Sequence, residues 1–177
     1  MGLFSSAEVA LISGGIRPPA PKDYRLPETF PSFNKAKRIC LDLEGKDPSI
    51  ANDTGPGWRR DAFICGFSVA LGDDKGGIEF SEYYPCRHKG GPNLDEARLF
   101  DWLRDELAFF SGEITGANLL YDADGFQYQK IYAPLAKWRD VQWAEALIDE
   151  NAFNYYLQRL AKRYTGHGKE TDELKAL

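Results

Sequence analysis

The run Arg38-Ile39-Cys40-Leu41-Asp42-Leu43-Glu44 constrains the fold of this chain more than any other stretch. Its apolar residues recur at every second position. A strand therefore turns Ile39, Leu41 and Leu43 to one face and Cys40, Asp42 and Glu44 to the other. Two carboxylates on one face of an otherwise apolar strand are costly if they are buried and unpaired. A bound divalent cation removes that cost, and magnesium or manganese takes carboxylate and water ligands of this kind. The pattern fits equally a strand end where both side chains reach solvent or an arginine, since D-x-E alone is common.

The chain has 177 residues, of which 43 % are hydrophobic, enough for one globular domain with a real core. A formal net charge of −5 excludes a basic protein that coats nucleic acid. It does not exclude a nucleic-acid enzyme, because a carboxylate site for metal adds negative charge where phosphate must come. Histidines are confined to His88 and His167, which rules out a His-rich zinc hydrolase. The cysteines, Cys40, Cys65 and Cys86, are odd in number and contain no C-x-x-C, matching neither a disulfide framework nor a structural zinc site. They point to a reducing compartment. Cys86-x-His88 lacks the further ligands a metal site needs. The N-terminal segment has no secretion signal, and no apolar run is long enough to span a membrane.

Residues 1–35 carry Gly14-Gly15, Pro18-Pro19, Pro21, Pro27 and Pro31 and are expected to form an irregular arm, leaving residues 36–177 as the folded domain. After the acidic strand comes a polar loop, Asn52-Asp53-Thr54-Gly55-Pro56-Gly57-Trp58-Arg59-Arg60. Strands are then expected at 62–71 and 78–85, joined by a turn at 72–77, so that the three strands form an antiparallel meander. The period then changes. Asn93 is placed to cap a helix, with Glu96 at the capping-box position and Leu94, Ala97, Phe100, Leu103, Leu107 and Phe110 as its apolar stripe. Gly112 ends that helix. A short strand at 113–116, a helix at 122–131, an edge strand at 138–141 and helices at 142–149 and 152–164 follow, the last closed by Gly166. Residues 168–177 read as the beginning of another helix. Strands followed by alternating helices and strands give a mixed α/β sheet with helices packed on it.

Asn118 and Asp122 follow a short strand and open a helix, and Asp140 ends the next strand. Both aspartates fit helix caps when taken singly. Together they stand at the carboxyl edge of the sheet, where open α/β sheets place ligands. Trp58, Arg59 and Arg60 are suited to stacking a base and holding phosphates. They equally suit a loop pinned by Trp58 with its arginines in solvent. Arg87, His88 and Lys89 read as a solvated turn, and Tyr155, Tyr156 and Tyr164 as packing residues.

These motifs, in this order, resemble the DEDD 3′–5′ exonucleases. Leu41-Asp42-Leu43-Glu44 is similar to their first motif, and Gly116-Ala117-Asn118-Leu119-Leu120-Tyr121-Asp122 to their second, with Asn four positions before Asp. Asp47-Pro48, Gly55-Pro56-Gly57-Trp58-Arg59-Arg60, Ile64-Cys65-Gly66-Phe67, the stretch from Asp140 through Asn151, and Leu160-Ala161-Lys162-Arg163-Tyr164 resemble the proofreading domains of bacteriophage-type family-A DNA polymerases. The resemblance implies a ribonuclease H-like fold, a mixed five-stranded sheet with three antiparallel strands and then alternating helices and strands. It implies Asp42, Glu44 and Asp122 as catalytic residues and ligands of two Mg²⁺ or Mn²⁺ ions, with Asp140 an accessory acid and Asn118 on the substrate strand. The implied substrate is the 3′ end of single-stranded DNA, the implied partner a polymerase domain in the parent protein or another chain, and the implied setting the cytoplasm of a phage-infected or prophage-bearing host. Two departures stand out. Gly45 occupies the place of a family Thr. The third motif, an Asp preceded by Tyr or His, has no counterpart before Leu177. Asp172 follows His167 by five residues, but Gly166 and Gly168 interrupt the helix it would need. The expectation is a domain truncated before its last helix, with weak metal binding and poor hydrolysis. Two other readings stay open: an inactive ribonuclease H-like structural or nucleic-acid-binding domain, and an RNA-directed nuclease of the same fold.

Overall fold

The computed structural model describes residues 25–50, 55–73, 75–89 and 91–168. Most of the expected arm, Asn52-Asp53-Thr54, Asp172 and the expected final helix lie outside the described residues.

Strand β1 (Arg38–Lys46) is the middle of a five-stranded sheet. It pairs antiparallel with β2 (Phe63–Gly72), which pairs antiparallel with β3 (Ile78–Pro85). On its other side β1 runs parallel to β4 (Glu113–Gly116), and β4 parallel to β5 (Trp138–Asp140). The order β3-β2-β1-β4-β5 is the ribonuclease H-like arrangement. The alternation in β1 sorts as the sequence predicts, with Ile39, Leu41 and Leu43 buried and Cys40, Asp42 and Glu44 exposed. The buried face joins Phe67, Val69 and Leu71 of β2 and Ile114 of β4 in one core. Leu99, Leu103 and Leu107 of helix α1 (Glu96–Phe109) complete it.

Helix α1 is capped by Asp95, which accepts from the Arg98 N–H at 2.8 Å, and not by Asn93. The Asn93 side chain is spent two residues earlier, accepting from the His88 N–H at 2.7 Å and donating to the His88 carbonyl at 2.8 Å. Glu96 takes an ion pair with Arg87 instead of closing a capping box. Helix α2 spans Leu119–Tyr128, so it begins three residues before the expected start and carries Asp122 in its first turn. A single 3-10 turn (Leu135–Lys137) leads into β5. Helices α3 (Val141–Ile148) and α4 (Leu157–Thr165) follow, and Gly166 closes α4 at φ 76°, a left-handed conformation that glycine adopts without strain. Among the described residues no helix is long and apolar enough to cross a membrane.

Candidate active site

Strands β1, β4 and β5 run parallel, so their carboxyl ends face the same edge of the sheet. Asp42 lies opposite Ser68 of β2, and Glu44 opposite Gly66, just before a shift of register at Gly45. The chain leaves β4 at Gly116, where a Cβ would stand 2.8 Å from the Leu41 carbonyl oxygen, so the backbones approach too closely for a larger residue. It turns through Asn118, exposed and left-handed at φ 59°, and enters α2. That turn delivers Asp122 towards the acidic face of β1.

Asp122 is 4 % exposed, and its Oδ2 has no hydrogen-bond partner. Burial pushes its carboxyl up to about 7, and the charges of Asp42, Glu44 and Asp140 push the same way. The Leu43 backbone N–H acts in the opposite sense. Asp122 therefore feels the other three carboxylates across the strand-to-helix junction. As they stand, however, no three His, Cys, Asp or Glu side chains among the described residues are grouped closely enough to hold a metal ion. The donor set itself suits a hard divalent cation: carboxylate oxygens only, one of them buried and unpartnered.

Asp140 faces two helix ends. Its Oδ1 accepts from the Gln142 N–H at 2.8 Å and so caps α3, while its Oδ2 accepts from the Leu119 N–H of α2, also at 2.8 Å.

Trp58 is not the base-stacking platform that the sequence allowed. It is 1 % exposed, with its ring 5.0 Å from that of Tyr121. Its Cη2 would lie 2.5 Å from a Cβ at Gly45, and its indole edge 3.0 Å from one at Gly125. An aromatic ring is stable in such a slot because both walls are glycines. Trp58 thus occupies the room that the Thr expected after Glu44 would need. The Tyr121 hydroxyl stands 3.3 Å from the same Gly45 position, and burial, then Asp47, Asp122 and Glu44, push it up to about 12. Tyr121 is a residue of the site that sequence reasoning passed over. Only its place beside Asp122 signalled it.

The loop that bears Trp58 is fixed at both ends. Asp47 accepts from the Ser49 N–H at 3.2 Å and the Gly57 N–H at 2.7 Å. Arg59 makes a two-pronged ion pair with Asp124 of α2, at 2.7 and 3.0 Å. Arg60 donates to the Gly55 carbonyl at 3.0 Å. Away from this site Cys86 is buried, and His88 is hydrogen-bonded to the Tyr83 hydroxyl.

No protein-family model matches the chain. It is 36 % identical over 154 residues to a DNA-directed DNA polymerase of Pseudomonas phage M6, covering 84 % of this chain and 22 % of the polymerase. The chain is homologous to a segment of phage DNA polymerases. It is also 26 % identical over 145 residues to the DNA polymerase DpoZ of Acinetobacter phage SH-Ab 15497, covering 81 % of this chain and 20 % of that protein. It thus spans about a fifth of the length of these relatives. Among solved structures it resembles Brucella melitensis NrnC bound to pGG, with a TM-score of 0.50 and 13 % identity over 78 % of this chain and 58 % of that one. That likeness concerns the fold alone.

Proposed function

We propose that this ribonuclease H-like domain is a metal-dependent 3′–5′ exonuclease of the proofreading type. It would hydrolyse terminal phosphodiesters of single-stranded DNA beside a polymerase domain. The observation that carries this reading is the buried, unpartnered Oδ2 of Asp122, set among Asp42 and Glu44 in a chain homologous to phage DNA polymerases. Asp42, Glu44 and Asp122 would hold Mg²⁺ or Mn²⁺, which when bound supplies an activated water and charge stabilisation at phosphorus. Asn118 is exposed at the mouth of this junction and fits a contact to the incoming strand. Arg59 and Arg60 sit on the adjoining loop as phosphate contacts, Arg59 exchanging Asp124 for the backbone of the strand. Such contacts carry little base information, so sequence preference is weak.

A specific observation favours a second reading, an inactive structural or nucleic-acid-binding domain: the carboxylates among the described residues are not gathered to ligating distance. A 5′-labelled single strand separates the two. The exonuclease reading predicts a ladder shortening from the 3′ end with Mg²⁺ or Mn²⁺, absent in EDTA and in Asp42→Ala. Binding without shortening supports the second reading, and shortening that persists in Asp42→Ala contradicts the first.

A further inference from the structure

We infer that Asp140 is a positioning residue, whose two carboxylate oxygens lock the first turn of α2, and with it Asp122, to the start of α3; the inference rests on the site reading above. Helix starts leave N–H groups without intrahelical partners, and the residue before the helix normally supplies a side-chain acceptor. Asn118 does not do so. It sits in the left-handed region, and its side chain makes no capping bond to α2. The acceptor comes from the neighbouring strand instead. Asp140 Oδ2 takes the Leu119 N–H at 2.8 Å. Its Oδ1 takes the Gln142 N–H at 2.8 Å and the Trp143 N–H at 3.4 Å. One carboxylate thus serves two helices at once.

The register of the parallel strands explains why Asp140 can do this. Gly116, the last residue of β4, lies opposite Asp140, the last residue of β5, so both strands release their helices at the same level. Asp122 follows Leu119 by three residues, on the same turn of helix. A shift of the Leu119 amide therefore carries the Asp122 carboxylate with it. The division of labour also leaves the Asn118 side chain out of the cap. Asp140 is half-buried and lines an open, mostly apolar cleft of about 280 Å³ with Leu119, Leu135, Trp138 and Trp143. Groups that orient metal ligands from behind typically affect metal affinity 10- to 100-fold when they are removed.

The test uses Asp140→Ser and Asp140→Glu. Serine keeps an oxygen for the Gln142 N–H but cannot reach Leu119 at the same time; glutamate keeps the charge but displaces both oxygens. Amide hydrogen exchange and Mn²⁺ titration are read together. In Asp140→Ser the Leu119 amide is expected to lose protection while Gln142 keeps it, and Mn²⁺ affinity to fall about 10- to 100-fold. Asp140→Glu should lose affinity similarly despite its charge. Wild-type protection at Leu119 in Asp140→Ser overturns the inference, as does wild-type Mn²⁺ affinity in either variant. If the wild-type protein binds no Mn²⁺, the reading of the site fails, and the protection of Leu119 and Asp122 alone decides whether Asp140 holds the helix.

Discussion

Among single residues, Asp122 carries the most weight. Its carboxyl is raised from an ordinary 3.8 to about 7. Between those values the folded protein holds a proton that the unfolded chain has released. The contribution of Asp122 to stability without metal therefore falls as pH rises from about 4 to about 7, and its loss is complete above that window. Asp122→Asn removes the titration. In EDTA it should be about as stable as wild type at pH 4. At pH 8 it should be more stable, by at most about 4 kcal/mol, since a tenfold change in a proton-binding constant is worth about 1.4 kcal/mol. Urea midpoints of the two proteins at both pH values check this, and equal midpoints at pH 8 would contradict it. Gly45 supports a second prediction. Gly45→Thr should destabilise by roughly 1–3 kcal/mol, the usual range for overpacking, and by less in a Trp58→Leu background. Equal costs in both backgrounds would mean that Trp58 does not fill that space. The sequence showed that Gly45 stands where the exonucleases it resembles carry Thr. It did not show why, because the path by which the following loop folds Trp58 back over Gly45 leaves no local pattern in the sequence.

At the level of strands and helices, what could be read from the sequence was whatever is decided locally. The alternation of β1, the meander, the short strand β4 and the glycine that closes α4 all follow from the residues within them. The beginnings of the helices did not. Asn93 looked like a cap, but its amide is committed to His88. Helix α2 was expected from Asp122, yet starts at Leu119, because its first N–H is satisfied by an aspartate 21 residues away. The role of Arg59 was similarly hidden, since its partner Asp124 is 65 residues distant. The ion pair is exposed and open to exchange. If Arg59 and Arg60 hold phosphates, replacing both with Gln should weaken binding to single strands of every sequence. The salt dependence should become shallower by about 0.7 in log–log slope for each phosphate no longer neutralised. Asp124→Asn should act in the opposite direction, because it removes the carboxylate that competes for Arg59. Filter binding across a salt series reads both; unchanged slopes would return the arginines to the solvated surface.

Across the whole molecule, the sheet order makes distant motifs neighbours. The acidic face of β1 and the first turn of α2 are far apart in sequence, and only the parallel pairing of β1 with β4 sets them at one edge. That edge was legible, because strand-to-helix junctions in parallel sheets share it. Their spacing was not, since it depends on bonds between elements distant in sequence, such as that from the Leu119 N–H to Asp140. Tyr164 and Tyr156 do not pack as expected: both rings are exposed, Tyr164 held only through its hydroxyl, which donates to the buried Glu145 at 2.6 Å, and Tyr156 on the same side as Trp143 and Leu147. If Asp42, Glu44 and Asp122 form a cation site, its empty form is strained by charge and its filled form is relieved. Thermal unfolding with and without Mg²⁺ at pH 8, in wild type and Asp122→Asn, separates the two states. A hundredfold excess over the dissociation constant stabilises a binding-competent fold by about 2.7 kcal/mol, so the wild-type midpoint should rise by roughly 5–10 °C in a domain of this size. Asp122→Asn should start higher and gain nothing. An equal gain in both proteins, or no gain in wild type, would rule out a cation site built on Asp122.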